Sequence, residues 1–407
     1  MKNKQYIPSA KILENYAKVM VKYALNNGTG MKKGDVVRLV GSESCKPLYV
    51  AIYREIIRGG GHVIGSYGID DTEYNLGKDF YDMASKEQIN FYPEKYYKGL
   101  IGQIDGSIYI ISENDKHALQ DVDPKKIMQK GLAMKPAMDL RRDKETKGKF
   151  SWTLCLYGTQ AMADEVGMSQ KEYWNQIIKA CYLKESNPVK TWKDLNKQLQ
   201  KNVKKLDALC IDTMHLTGKD IDLTVKLSPK SKWKAGSGCN IPSFEIFTSP
   251  DWRGTNGWIR INQPLYRYGN LVEGIYLEFK DGIVTKATAT KGQKVLRNMI
   301  ATKNADKIGE FSLTDSRHSK ITKFMGETLY DENVGGKYGN THIALGNAYR
   351  DCYKGDHSKV TEKGWEKLGY NNSSVHTDVI STADRTVTAT LANGKKKVIY
   401  EKGQFKI

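Results

Sequence analysis

Along the first half of the chain, short apolar runs alternate with stretches whose apolar positions recur every three or four residues. The runs DVVRLVG (35–41), HVIGSYG (62–68), GSIYIIS (106–112) and FSWTLCLYG (150–158) are compact and mostly rich in β-branched or aromatic residues, which predicts strands. Between them, KPLYVAIYREIIRGGG, a Tyr- and Lys-rich region and a stretch near 124–135 carry helical spacing. The N-terminal segment does the same: Leu13, Tyr16, Ala17, Met20, Tyr23 and Ala24 fall along one helical face, with Lys18 and Lys22 between them. Strands separated by helices predict βαβ units and a layered, mainly parallel sheet.

Two longer helical patterns follow. MSQKEYWNQIIKACYL (168–183) opens with Ser169 as N-cap and Glu172 three residues on, a capping box. NPVKTWKDLNKQLQKNVKKL (187–206) lines up Val189, Trp192, Leu195, Leu199, Val203 and Leu206 in one stripe, with Pro188 in the first turn. Beyond it the rhythm turns to alternation. GNLVEGIYLEFKDGIVTKATAT (269–290) predicts a hairpin about Asp281-Gly282, and TVTATLANGKKKVIYEKGQF (386–405) another about Asn393-Gly394. One helical pattern, 293–309, interrupts. The expected fold class is α/β: an N-terminal layered α/β domain with a mainly parallel sheet (1–206), then a β-rich α+β domain (207–407).

Composition suits a folded chain, at 39% hydrophobic and 10% aromatic residues. No run reaches the length of a membrane span, and the amphipathic N-terminal helix is not a signal peptide, so a cytoplasmic address with no membrane partner is expected. Six scattered cysteines without a C-x-x-C indicate neither a disulfide framework nor a zinc ribbon, and Cys155 fits a small buried hydrophobe. The 64 basic against 46 acidic residues give +18. The lysines are dispersed and no nucleic-acid module is present, which favours a solvated basic surface over a nucleic-acid partner. GSESCK after the first strand lacks the dinucleotide fingerprint, so no nucleotide cofactor is expected there.

Several hydrolytic motifs are absent: H-E-x-x-H, G-x-S-x-G and the P-loop. What remains is a set of carboxylates and histidines between 240 and 380. NIPSFEIFTSP sets Glu245 among aromatic residues, and IGEFSL carries Glu310; a solvated strand face would account for either. HIALGNAY carries His342 and Tyr349, which a helix would stack two turns apart, although Gly346 weakens that helix. SSVHTDVI reads as a strand with His376 and Asp378 on one face. Glu245, Glu310, His342, Tyr349, His376 and Asp378 together offer three carboxylates, two imidazoles and a phenol. Such a mixed oxygen and nitrogen set suits two divalent ions of zinc, cobalt or manganese, although spacing does not establish that the six converge.

The segments NIPSFEIFTSPD, GNLVEGIYLEFKDGIV, IGEFSLTD, TLYDEN, HIALGNAY and NNSSVHTD, in that order, resemble the aminopeptidase T and aminopeptidase S family of thermophilic-type metallopeptidases. FSWTLCLYGTQAMADEVGMS and GDVVRLVG extend the resemblance over nearly the whole chain. The resemblance implies that Glu245, Glu310, His342, Tyr349, His376 and Asp378 are the metal ligands. It also implies that the second domain is catalytic and that the chain forms a homodimer with an enclosed site. Phe244 departs from many relatives, which carry a second acid there, and VGGKYGNT (334–341) is a longer, Gly-rich loop.

The implied activity is removal of single N-terminal residues from peptides with a free amine. Two divalent ions would activate water, and Tyr349 would stabilise the oxyanion if it is not a ligand. Glu310 is the first candidate for the proton-shuttling carboxylate and Glu332 the second. The competing readings are another di-metal hydrolase, an amidohydrolase or phosphoesterase, and a basic polyanion-binding protein with a decayed site.

Overall fold

The computed structural model describes residues 6–70, 73–236 and 238–407. The chain divides into two compact units: Met1–Asn196 with Ser237–Ser243, and Lys197–Gly236 with Phe244–Ile407. That division falls inside the helix Pro188–Ala208, ten residues before the boundary expected at 206.

The first unit is built on a five-stranded sheet in the order His62–Gly68, Val36–Ser42, Gly106–Ile111, Ser151–Leu156, Asn240–Ile241. Every pairing in it is parallel. The four long strands are those predicted from their apolar runs. The fifth is a two-residue addition from the segment that precedes Glu245. The N-terminal helix Ala10–Val19 and the wider turn Met20–Ala24 bury the predicted face, with Tyr16, Ala17, Met20, Tyr23 and Ala24 at most 1% exposed. Ser169 caps the helix Gln170–Ala180 as its sequence predicts: its Oγ accepts from the Glu172 N–H at 3.3 Å, and the Glu172 carboxylate accepts from the Ser169 N–H at 3.0 Å. All six cysteines are free, and Cys155 is fully buried.

Among the described residues the second unit holds two large antiparallel sheets besides the two-stranded hairpin Leu265–Arg267 with Asn270–Val272. The larger has eight strands and includes both predicted hairpins, Tyr276–Lys280 with Ile283–Thr288 and Thr386–Leu391 with Lys396–Glu401. Asp281 and Gly282 both take positive φ, at 50° and 84°, which matches the right-handed twist of the flanking strands. The smaller sheet runs His376–Ser381, Asn340–Gly346, Ile308–Thr314, Glu245–Thr248, Lys234–Ala235. Its strands Ile308–Thr314 and Asn340–Gly346 are buried on both faces.

Three expectations change here. Glu245 and Glu310 do not decorate a wet face; they are 6% and 4% exposed. His342 lies on a strand, not a helix, because that strand sits between two others and takes its hydrogen bonds from both. The 293–309 helix ends at Ile300.

Candidate metal centre

The small sheet of the second unit brings most of the predicted residues onto one face. Directly paired residues of antiparallel strands point the same way. Glu310 pairs with Ala344, and Ala344 with Asp378, so two carboxylates share a row with only a methyl group between them. In the next row Ser312 pairs with His342 and Phe247. Glu245 pairs with Thr314 one row further, and His376 pairs with Gly346 on the opposite side.

A bulge sets this register. Ile308 pairs with Leu345 but Glu310 with Ala344, so Gly309 is an extra residue. An added residue shifts the alternation of faces, which here turns Glu310 toward the ligand side. A Cβ on Gly309 would lie 2.3 Å from the Asn347 carbonyl oxygen, so the bulge requires glycine. Gly346, at φ 106°, is equally constrained: its Cβ would come within 2.1 Å of the Val375 carbonyl.

Two groups of donors result, each compact enough for one ion: Glu245, Glu310 and His342, and Glu310, His376 and Asp378. His342 Nε2 lies 3.3 Å from Glu245 Oε2 and 3.8 Å from Glu310 Oε1. His376 Nε2 lies 3.2 Å from Glu310 Oε2 and 3.6 Å from Asp378 Oδ1. Glu310 thus turns one oxygen to each histidine and belongs to both donor groups.

Neighbouring groups hold these donors in place. His376 Nδ1 is 2.8 Å from the Asn347 carbonyl, which can only accept, so Nδ1 carries the proton and Nε2 is the donor atom left for a metal. Ser312 Oγ donates to Glu245 Oε2 at 3.2 Å. His342 Nδ1 is buried with no hydrogen-bond partner among the described residues.

The electrostatics are those of a site short of positive charge. Burial pushes the Glu245 carboxyl up toward about 7, against the pull of His342. Burial alone would lower both histidines. The surrounding carboxylates prevail, raising His342 to about 9 and His376 well above its ordinary value. For Asp378 the penalty of burial is outweighed by His376, and its pKa falls. Three carboxylates therefore hold protons on two imidazoles, and a divalent cation offsets the same charge better. The residues fit the metal: the donors are oxygen and imidazole nitrogen, with no thiol in either group.

Tyr349 lies beyond its strand, with its ring 4.7 Å from the His376 ring and 5.9 Å from that of Phe247. About a third of the residue is exposed. Its phenol is nevertheless held well above its usual range, by desolvation and then by Glu310, Asp378, Glu332 and Glu245. Glu332 is buried and accepts from Asn333 Nδ2 at 3.3 Å, while Asn333 Oδ1 takes the Phe244 N–H at 2.7 Å. Asn333 therefore ties Glu332 to the fully buried Phe244, the residue preceding Glu245. In the 334–341 loop, Gly336 and Lys337 are exposed and the Tyr338 carbonyl accepts from the Tyr400 hydroxyl at 3.2 Å.

Ala344, Ser312, Asn333 and the Asn347 carbonyl went unnoticed in the sequence. Alternation places Ser312 two residues from Glu310, and Ala344 two from His342, on their faces. Nothing local marks the Asn347 carbonyl.

Two groups of carboxylate and imidazole donors, buried or half-buried about a shared carboxylate, define a candidate metalloenzyme centre. The chain belongs to the thermophilic metalloprotease family (M29), whose family model matches residues 9–405. It is 28% identical to Aminopeptidase PepS of Streptococcus thermophilus, over 97% of this chain and 98% of that protein. It is likewise 28% identical to Aminopeptidase AmpS of Bacillus subtilis (strain 168), with the same coverage. Aminopeptidase T of Thermus thermophilus is 27% identical, again over 97% of this chain. The solved structure of wild-type AmpT from Thermus thermophilus superposes with a TM-score of 0.82 at 24% identity, covering 98% of this chain and 99% of that one, a likeness of fold. Among the described residues no helix is long and apolar enough to cross a membrane.

Proposed function

We propose that this chain is a metalloaminopeptidase that removes the N-terminal residue from peptides with a free amine, using a dinuclear centre. The observation that carries the reading is Glu310, shared by two donor groups with one oxygen toward each histidine. Glu245, Glu310 and His342 would hold one ion; Glu310, His376 and Asp378 would hold the other. Zinc, cobalt or manganese in these positions would supply Lewis acidity to the scissile carbonyl and to water.

The chain's own residues supply the rest. Asn347 and Ser312 fix the orientation of His376 and Glu245. Glu310, with both oxygens turned to histidines, is poorly placed to carry a proton. Glu332, buried and tied through Asn333 to the head of the Glu245 strand, takes that role and delivers the proton to the leaving amine. Tyr349, its phenol kept protonated by desolvation and then by the surrounding carboxylates, would donate a hydrogen bond to the oxyanion. The carboxylates favour a substrate that brings a free ammonium group, which supports exopeptidase selection.

The candidate ligands together with Glu332 and Tyr349 lie in the second unit, supporting its reading as the catalytic domain. A homodimer in the cytoplasm completes the proposal; large apolar side chains left exposed on the first unit, such as Ile69, Tyr74 and Leu76, support self-association. The test is metal analysis of the purified protein together with free and N-acetylated aminoacyl p-nitroanilides. The expected result is two equivalents of metal and cleavage of the free substrates alone. Cleavage of phosphoesters with none of unblocked aminoacyl substrates would point to another di-metal hydrolase. Salt-dependent nucleic-acid binding without metal would point to a polyanion-binding protein.

A further inference from the structure

The strand Asn340–Gly346 runs into a corner, residues 346–349, on which two of the candidate site residues depend. The Asn347 carbonyl accepts from His376 Nδ1 at 2.8 Å, and Tyr349, two residues on, sets its ring 4.7 Å from that of His376. Three successive backbone N–H groups of this corner are tied to three different segments. Asn347 donates to the Val375 carbonyl at 2.7 Å, Ala348 to the Asn371 carbonyl at 2.9 Å and Tyr349 to Ser249 Oγ at 2.8 Å.

Asn371 grips the corner with its side chain as well as its backbone. It is buried, and its Nδ2 donates to the Gly346 carbonyl at 2.5 Å and to the Asn304 carbonyl at 2.7 Å. A side-chain amide nitrogen has two N–H donors, and here both are spent on carbonyl oxygens. Asn304 is itself fixed, since its Nδ2 donates to the Asn372 carbonyl at 2.9 Å, and Ser373 Oγ donates to the neighbouring Lys303 carbonyl at 2.8 Å. The corner has little slack elsewhere: a Cβ on Gly309, the bulge residue, would run into both the Gly346 and the Asn347 carbonyl oxygens. Asn371 therefore holds the residues on either side of Asn347, Gly346 by its carbonyl and Ala348 by its N–H. The other donor group takes support elsewhere, Glu245 from Ser312 Oγ.

We propose that Asn371 is a positioning residue for the group of Glu310, His376 and Asp378: by clamping Gly346 and Ala348 it aims the Asn347 carbonyl at His376 Nδ1 and keeps Nε2 turned toward Glu310 and Asp378. This rests on the reading of that group as a metal site. A partner that orients a ligating imidazole through its second nitrogen typically controls metal affinity about 10- to 100-fold. Asn371→Asp is the sharpest perturbation, because it keeps the shape of the side chain but sets a carboxylate oxygen against two carbonyl oxygens.

The test titrates zinc into the full chain against a chromophoric chelator, in wild type, Asn371→Ala, Asn371→Asp and Asn372→Ala. The Asn371 variants are expected to lower one zinc affinity about 10- to 100-fold, the one that Asp378→Asn also lowers, and to leave the other unchanged. Asn372→Ala, whose side chain donates to the exposed Glu362 instead of the corner, should change neither. Proton NMR of the imidazole N–H region, on the protein as purified and after zinc loading, supplies the second readout. The His376 Nδ1 proton, assigned by its absence from His376→Gln, should shift or be lost to exchange in both Asn371 variants. Equal weakening of both zinc affinities, or an unmoved Nδ1 proton, means that Asn371 is merely structural and overturns the proposal. If Asn371→Ala loses cooperative unfolding, Asn371→Ser replaces it and keeps one donor. Fewer than two zinc ions on the wild type sinks the dinuclear reading, while the Nδ1 proton still decides whether Asn371 positions His376. Two ions bound with an unmoved Nδ1 proton does the reverse.

Discussion

Replacing Glu310 by Gln tests the shared-ligand geometry most directly. In the metal-free protein the substitution removes attractions to His376 Nε2 at 3.2 Å and His342 Nε2 at 3.8 Å. It also removes repulsions from Glu245 and Asp378, its companions in the two donor groups. At an effective dielectric of about 20 each unit-charge interaction near 4 Å is worth roughly 4 kcal/mol, and terms of opposite sign largely offset. The metal-free variant should therefore unfold within about 1–2 kcal/mol of the parent, the range of an ordinary substitution. Metal-linked stability behaves differently. An ion present at 100 times its Kd contributes about 2.7 kcal/mol, so two contribute roughly 5 kcal/mol. For a unit of about 200 residues that separates the Tm of loaded and chelator-treated protein by about 10–20 °C. Glu310→Gln, which damages both groups, should abolish most of this gap, whereas Glu245→Gln and Asp378→Asn, which damage one group each, should keep about half. Thermal unfolding with and without chelator, alongside elemental analysis, reads the outcome. If Glu310→Gln retains as much metal per chain as the other two variants, the bridging argument is wrong.

Other substitutions probe separate links. Glu332→Gln should lower kcat by about 10²–10⁴-fold with metal content intact; loss of metal instead would make Glu332 a ligand. Ala344→Leu puts a larger side chain between Glu310 and Asp378, at a cost of about 1–3 kcal/mol from overpacking, and should reduce metal content. Full metal content with parental activity would disprove the deduced face. Asp315 is fully buried; the penalty of burial is outweighed by hydrogen bonds from Arg317 and the Phe405 N–H, so its pKa lies below the ordinary 3.8. Its stabilisation is therefore full above that value and is lost as pH falls through the lower, folded-state pKa. Asp315→Asn should cost about 1.5–3 kcal/mol at pH 7, a difference that denaturant titrations should show shrinking in acid below pH 3.8.

Local chemistry made much of the fold legible. The first sheet could be read because its strands are short apolar runs divided by amphipathic helices, and each run must be buried wherever it goes. Ser169 with Glu172 marks a helix start, and Asp281-Gly282 a turn, because their backbone requirements are met within a few residues. Glu245 and Glu310 misled for the same reason: alternation within one strand cannot tell a face covered by another layer from one open to water. His342 was ambiguous because strand or helix depended on partners some thirty residues away on either side.

Sequence alone brought forward the candidate donors of this protein: three carboxylates, two imidazoles and a phenol without thiols, set on segments that could become strands. It also determined the family, through ordered motifs along most of the chain. Only the tertiary structure decided that Glu310 falls in both donor groups, that the small Ala344 stands beside it and that Asn347 fixes the His376 tautomer. Those facts depend on register between strands far apart in sequence, and register is set by the bulge at Gly309 and by burial of whole faces, which no local window of residues contains.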